Sequence, residues 1–289
     1  MGLGAGPEAA LVAALFGLLV GSFLNVVIYR FPRMLEQEWA DDCAEYAGEP
    51  PRERGEAFNL VVPRSRCPHC GHQIRWYENI PVVSWLALRG KCSQCKARIS
   101  VRYPLVELIT GAFFALCAWR FGLTLQAAAW AAFAALLICL FLIDMDTQIL
   151  PDDLNYMLLW LGLIAAAVGW TVSLHSAVWG AAVGYLLFWG IFQAFKLATG
   201  KEGMGYGDFK LLAALGAWLG VEYLLAIVLL SSIVGAVIGV LLLLVGKLAD
   251  KDIPMPFGPY LAGAGLLTLA LGPAAGPALL PFAFPFGAR

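Results

Sequence analysis

Long apolar runs, rather than periodic stripes, dominate this 289-residue chain. Eight of them lie near 8–29, 104–121, 124–143, 155–173, 178–197, 209–221, 223–246 and 257–280. Each approaches the roughly 20 residues that a helix needs to cross a bilayer. The sixth is short for a crossing, and the eighth is interrupted by Gly and Pro. Between the first two runs, from Arg30 to Tyr103, the pattern turns polar. The expected architecture is an all-α polytopic membrane protein of about eight transmembrane helices, with one small extramembrane domain between helices 1 and 2. The chain then divides into a first transmembrane helix (1–29), the polar domain (30–103) and a membrane-embedded part (104–289).

Composition agrees with this pattern: 61% of residues are hydrophobic and only 13% charged, which places the chain outside ordinary soluble domains. The net charge of -1 says nothing about nucleic acid, and no nucleic-acid partner is expected. The distribution of charge is more telling. Twelve of the 19 Lys and Arg fall between Arg30 and Arg102. If the first helix runs outside to inside, that loop and the short loops at 144–154, 198–208 and 247–256 are cytoplasmic. Only Arg120 and Arg289 then lie outside, as the positive-inside rule requires. Met1–Pro7 lacks the basic start of a secretory signal, so the first helix is expected to be retained. Ser22 and Asn25 are polar residues within it, and interhelical hydrogen bonding is their expected role.

Four of the seven cysteines form a pattern: Cys67-Pro68-His69-Cys70 and, 21 residues on, Cys92-Ser93-Gln94-Cys95. Two C-x2-C knuckles at this separation predict a tetrahedral zinc site. Disulfides are the alternative, disfavoured in a reducing cytoplasmic loop. Four thiolates leave no open position, so the zinc is structural. His69 and His72 are expected at the surface, and Cys117 and Cys139 as small core residues. Between the knuckles, Trp76 to Trp85 reads either as a small-molecule pocket or as an amphipathic segment against lipid headgroups. The acidic stretch from Glu36 to Glu56 looks like a mobile insertion.

Carboxylates at the margin of a bilayer are costly and default to a functional reading. Asp144 ends an apolar run, Asp146 follows it, and Asp152 and Asp153 precede the fourth run, where helix N-capping is their expected role. Asp208 follows Gly203-Met204-Gly205-Tyr206-Gly207, and three alternating glycines exceed what a cap requires. We expect Asp208 to be catalytic, with Gly205 and Gly207 keeping the backbone beside it open. Spacing leaves its partner open among Asp144, Asp146 and Asp152. Two carboxylates held close share a proton and can activate water for attack on a peptide carbonyl. With three histidines in all and no H-E-x-x-H, neither a Ser-His-Asp triad nor a zinc protease fits.

In order along the chain come Gly21-Ser22-Phe23-Leu24-Asn25, the two knuckles bracketing Glu78-Asn79-Ile80-Pro81, and Arg102-Tyr103-Pro104-Leu105-Val106-Glu107. Ile143-Asp144, Leu150-Pro151-Asp152, Gly205-Tyr206-Gly207-Asp208 and Pro256-Phe257-Gly258-Pro259-Tyr260 follow. This series resembles the bifunctional type IV prepilin peptidase family over nearly the whole chain. The resemblance implies a GxGD-type aspartic protease in which Asp144 partners Asp208. It implies a bacterial inner-membrane enzyme that cuts leaders from prepilins and pseudopilins at the cytoplasmic membrane face, between a glycine and a phenylalanine. It also implies N-methylation of the new terminus by S-adenosylmethionine, since short members without the cysteine-bearing loop are peptidases only. Glu78 and Asn79 are the residues assigned to the methyl-transfer region. The acidic stretch departs from the family pattern, and the resemblance ties it to neither reaction.

Two other readings compete. A presenilin-like protease without methyl transfer uses the same dyad but has no need of a cysteine module. A proton-coupled transporter would carry its aspartates at broken helices near the membrane midplane. Here both aspartates are expected at the cytoplasmic edge, with membrane lipid as their surroundings.

Overall fold

The computed structural model of the protein describes residues 6–49, 57–201, 203–245 and 256–272. The chain forms two compact units, Met1–Ala131 and Ala132–Arg289. The described residues are helical apart from loops and two isolated β-bridges.

The first unit holds α1 (Pro7–Tyr46), a 3₁₀ turn (Trp76–Asn79), α2 (Val83–Ala87) and α3 (Arg102–Phe121). Glycines let α1 and α3 approach closely: a Cβ on Gly17 would stand 2.7 Å from Phe114 Cβ, and one on Gly21 would stand 2.7 Å from Glu107 Cα. Small residues do this in membranes, where apolar surface alone does not drive helices together. Asn25 Nδ2 donates to Tyr103 O at 3.2 Å, and Ser22 hydrogen-bonds Glu107. Both polar residues therefore make the interhelical bonds expected of them. Glu107 also accepts from the Val82 N–H at 2.8 Å, fastening the polar loop to α3.

One expectation is corrected. The stretch read as a mobile acidic insertion continues α1 as far as Tyr46, and residues 50–56 lie outside the described residues. No Gly or Pro interrupts 33–47, and Met, Leu, Glu, Gln and Ala there favour helix. The buried Arg30 fixes the returning chain by donating to Asn59 O at 2.8 Å and Pro63 O at 2.6 Å.

Helix α4 (Leu125–Thr147) runs on into the second unit, which contains α5 (Asp152–Ala167), α6 (Leu174–Thr199), α7 (Tyr206–Leu219), α8 (Val221–Leu244) and α9 (Gly258–Leu271). Helix α7 is the innermost, buried from Asp208 to Leu219 apart from Lys210. Its Trp218 donates Nε1–H to Leu158 O at 2.8 Å and lies 4.9 Å from the Phe133 ring. The Asp152–Lys210 and Leu158–Trp218 contacts, eight residues apart in α7, make α5 and α7 parallel. Helix α6 runs antiparallel to α7, with Gly180 against Gly216 at one level and Phe192 against Phe209 at another.

Each expected apolar run coincides with one helix. Among the described residues five helices (α1, α3, α4, α6 and α8) are long and apolar enough to cross a membrane, which makes this an all-helical, multi-pass membrane architecture. Helices α5, α7 and α9 have 16, 14 and 14 residues. The fourth run ends sooner than expected because Gly169 adopts φ 81° just beyond α5. Position 246 and residues 273–280 of the expected seventh and eighth spans lie outside the described residues.

The seam between α6 and α7 yields a prediction with an internal control. A Cβ on Gly180 would overlap the Gly216 carbonyl, whereas one on Gly190 of the same helix meets open space. Gly180→Ala is expected to cost about 1–3 kcal/mol through overpacking. Gly190→Ala is expected to stabilise by about 0.5–1 kcal/mol through helix propensity. Thermal unfolding in detergent reads both signs.

Candidate active site and metal centre

The two cysteine knuckles fold alike. The Cys67 N–H donates to His72 O and the Cys92 N–H to Ala97 O, each at 2.8 Å. The Gly71 N–H returns to Cys67 O and the Lys96 N–H to Cys92 O. Gly71 and Lys96 hold equivalent left-handed positions, at φ 70° and 59°. The Arg66–Gln73 and Lys91–Arg98 bridges close the pair. All four Sγ atoms lie within 4.8 Å of one another. Cys67 and Cys95 are 3.8 Å apart, and Cys70 and Cys92 are 4.0 Å apart. A tetrahedron of Zn–S bonds of ~2.3 Å has an edge of ~3.8 Å, whereas a disulfide needs ~2.05 Å. The four cysteines are unbonded and set to hold a metal ion. Backbone N–H groups of Cys70 and His69 pull the Cys67 thiol down to about 7, and those of Cys95 and Gln94 lower Cys92, which favours the thiolate at these two positions.

Beside this module lies an open cleft of about 620 Å³. Its base is a chain of polar contacts: Ser93 Oγ to His72 Nε2 at 3.2 Å, and His72 Nε2 to Glu78 Oε2 at 3.2 Å. The Arg75 N–H donates to Glu78 Oε2 at 2.8 Å. The Ser93 hydroxyl, the Arg75 N–H and His72 together hold the Glu78 carboxyl well below its ordinary range, at about 2. His72 is thus a half-buried partner of Glu78 rather than the free surface residue expected. Asn79 is exposed and does not line the cleft. The segment between the knuckles is a 3₁₀ turn and one helical turn, tied down by Trp85 Nε1–H to Ile99 O.

In the second unit, Asp144 and Asp208 are both buried, at 4% and 8% exposure, and within electrostatic reach of each other. Asp146 and Asp153 stay exposed. Asp152 forms an ion pair with Lys210 at 2.6 Å. Neither Asp152 nor Asp153 caps α5 as expected; Pro151 holds the cap position and both acids lie in the first turn. There they still complement the helix dipole. Asp208 is likewise not a cap. Gly205 precedes α7, and Asp208 falls in its first turn. Asp144 sits near the C-terminal end of α4 and faces the backbone N–H of Gly258, the first residue of α9. Each carboxylate thus meets the positive end of a helix, α7 or α9, in place of bulk water. Asp144 Oδ2 and Asp208 Oδ1 have no hydrogen-bond partner among the described residues.

The glycines act by their size. Gly205 has an extended φ of -79°, open to any residue, and neither Gly203 nor Gly207 has a positive φ. A Cβ on Gly207 would stand 2.7 Å from Leu150 Cβ, and one on Gly258 would stand 2.9 Å from Leu150 Cδ1 and 2.5 Å from Asp144 Oδ2. Leu150 therefore packs between the starts of α7 and α9. Both Leu150 and Gly258 stand in the motif series of the sequence, but sequence reasoning gave neither a role. The available signal was a glycine between two prolines opening an apolar run.

Fold and site together define a class: a multi-pass membrane protein with a buried aspartate pair and a separate four-cysteine metal module. The Bacterial Peptidase A24 N-terminal domain family matches residues 15–121, and the Type IV leader peptidase family matches residues 131–240. The chain is 55% identical over 271 residues to the prepilin leader peptidase/N-methyltransferase of Stutzerimonas stutzeri, covering 93% of each. It is 54% identical to that of Pseudomonas aeruginosa (91% of this chain, 90% of the relative) and 46% identical to that of Burkholderia pseudomallei (93% and 90%). No solved structure matches. The chain belongs to the prepilin leader peptidase/N-methyltransferase family.

Proposed function

We propose that the protein removes the leader from type IV prepilins and pseudopilins and then methylates the new N-terminal amine with S-adenosylmethionine. The observation that carries the peptidase half is the burial of Asp144 and Asp208 together at two helix N-termini. Within the second unit its one histidine, His175, is not placed to serve instead. His175 pairs with Trp179 in the first two turns of α6, the end remote from the Phe192–Phe209 contact beside Asp208.

Asp144 and Asp208 share one proton, because neighbouring buried carboxylates cannot both ionise cheaply. The ionised member takes a proton from water as the water oxygen bonds to the scissile carbonyl carbon. The protonated member donates a hydrogen bond to the carbonyl oxygen. The C–N bond then breaks, and the leaving amine receives a proton from the dyad. Gly205, with only Asp208 Oδ2 at 4.0 Å from a built Cβ, leaves room beside that carboxylate for an unwound substrate segment.

All eight apolar helices cross or enter the bacterial inner membrane, with the polar loop and the dyad on the cytoplasmic side. Residues 30–103 serve methyl transfer and 104–289 serve the peptidase, and Glu78 stands in the methyl-transfer region. S-adenosylmethionine supplies the methyl group: its S–CH3 bond breaks with the electron pair left on sulfur, an N–CH3 bond forms, and the ammonium loses one proton. Cys67, Cys70, Cys92 and Cys95 hold a structural zinc ion, whose role is to fix the fold of this loop. Metal analysis of purified protein should give about one zinc per chain, and Cys92→Ser should reduce it to near zero.

The deciding experiment is mass spectrometry of a prepilin N-terminus after incubation with the protein and S-adenosylmethionine. A shortened, methylated product is expected. Cleavage without methylation would confine the protein to peptidase work, and an intact prepilin would refute the reading.

A further inference from the structure

The cleft beside the metal module carries charges of both signs that feel one another but keep different hydrogen-bond partners. The Arg75 guanidinium donates to the Tyr77 hydroxyl at 2.7 Å, while it is the backbone N–H of Arg75 that serves Glu78. Glu78 is deep, its side chain 10% exposed, and is braced by His72. Arg75 and Tyr77 are exposed at the cleft. Tyr77 is 45% exposed; the Arg75 guanidinium carbon stands over its ring at 5.9 Å from the centroid, and Trp76 meets it edge-on at 5.7 Å. A carboxylate, a guanidinium and an open aromatic ring thus share one cleft of about 620 Å³, a size in the ordinary range for small-molecule sites of roughly 300–1,000 Å³.

This arrangement selects a class of ligand. A simple cation would be repelled by Arg75, and a simple anion by Glu78. A zwitterionic α-amino acid head satisfies both, with its ammonium at the braced carboxylate and its carboxylate at the guanidinium, where paired N–H donors fit carboxylate geometry. The exposed ring offers a face for a flat heterocycle at the other end of the same ligand.

We propose that this cleft binds S-adenosylmethionine, with Glu78 and Arg75 reading its amino acid head and Tyr77 its adenine. The inference rests on the methyl-transfer reading above and goes beyond it by assigning the donor site. Among the described residues of the first unit, Glu107 is the one buried acid, and it is already engaged by the Val82 N–H and Ser22.

The test is equilibrium binding of S-adenosylhomocysteine to the full-length, zinc-loaded protein in detergent. Glu78→Gln and Arg75→Gln should each weaken binding at least tenfold. Because Glu78 also supports the loop, Ala87→Phe serves as a second variant. Ala87 lines the cleft on α2 and is exposed, so a larger side chain narrows the cleft without deleting any polar contact. It should weaken binding at least tenfold while the zinc content stays at one per chain. A second probe, 5′-methylthioadenosine, lacks the amino acid head. It should be insensitive to Glu78→Gln and Arg75→Gln but sensitive to Ala87→Phe. Unchanged S-adenosylhomocysteine affinity in Ala87→Phe and Arg75→Gln, with zinc retained, would overturn this assignment and leave the functional reading standing. So would variants that weaken binding of a processed prepilin N-terminal peptide but not of S-adenosylhomocysteine. Wild-type protein that neither binds S-adenosylhomocysteine nor methylates would remove the methyl-transfer reading itself.

Discussion

Asp208→Asn and Asp144→Asn are each expected to lower leader cleavage by about 10⁴-fold or more, the scale of loss when one member of a catalytic unit is removed. The substitution keeps shape and hydrogen-bonding reach but cannot accept or hold the shared proton, so the loss should appear in kcat rather than KM. The double variant should be barely worse than either single one, because two residues that act as one unit fail together. The same variants should unfold at temperatures equal to or above that of the wild type. Each carboxylate has an oxygen that is out of solvent and unpartnered among the described residues, and burying charge costs stability that a neutral amide recovers in part. Inactivity together with raised stability separates a catalytic pair from a structural one. If the acids merely held the fold, both quantities would fall. Asp146→Asn is the comparison, since Asp146 is exposed and its loss should leave cleavage within about twofold, as expected of surface changes.

Much of this architecture is legible in the sequence, and the reasons are physical. Apolar runs of membrane length announce their helices because lipid allows a spanning backbone few other forms. The two knuckles announce a metal site because two C-x2-C pairs at that separation match zinc-ligand spacing. The four sulfurs lie within 4.8 Å of one another, so they could hold a metal ion. Burial of Asp144, against exposure of Asp146 and Asp152, was less legible. All three lie in or beside one short loop, and only the packing of α7 and α9 decides which is enclosed. The glycines before Asp208 were visible, but what Gly207 packs against was not: Leu150 leaves no room for a Cβ there. The helical continuation to Tyr46 was missed because charge was weighed above helix propensity. The pairing of His72 with Glu78 depends on a 3₁₀ turn that brings residues six apart together, and no periodicity signals such a turn.

Gly258→Ala is the second large expected effect, and it lies outside the carboxylates themselves. The added methyl would stand 2.5 Å from Asp144 Oδ2 and 2.9 Å from Leu150 Cδ1. Neither contact is tolerable, and Leu150 cannot retreat freely because it also fills the space beside Gly207. The Asp144 side chain is therefore the group that turns away, losing both the N–H of α9 and its alignment with Asp208. Misplacing a catalytic group by about 1 Å costs on the order of 10²-fold in rate. Cleavage should fall by that factor, with an overpacking cost of about 1–3 kcal/mol in unfolding. Gly207→Ala meets Leu150 but neither carboxylate, so it should cost similar stability and less activity. Gly205→Ala finds only an ordinary contact of 4.0 Å, so the folded enzyme tolerates the methyl. Its loss should appear chiefly in KM, where an unwound substrate segment must lie over Asp208. Steady-state kinetics of the three variants on one prepilin thus distinguishes room for the carboxylate from room for the substrate. Equal losses in kcat for Gly205→Ala and Gly258→Ala would show that the glycines share one conformational role, contrary to the steric one argued here.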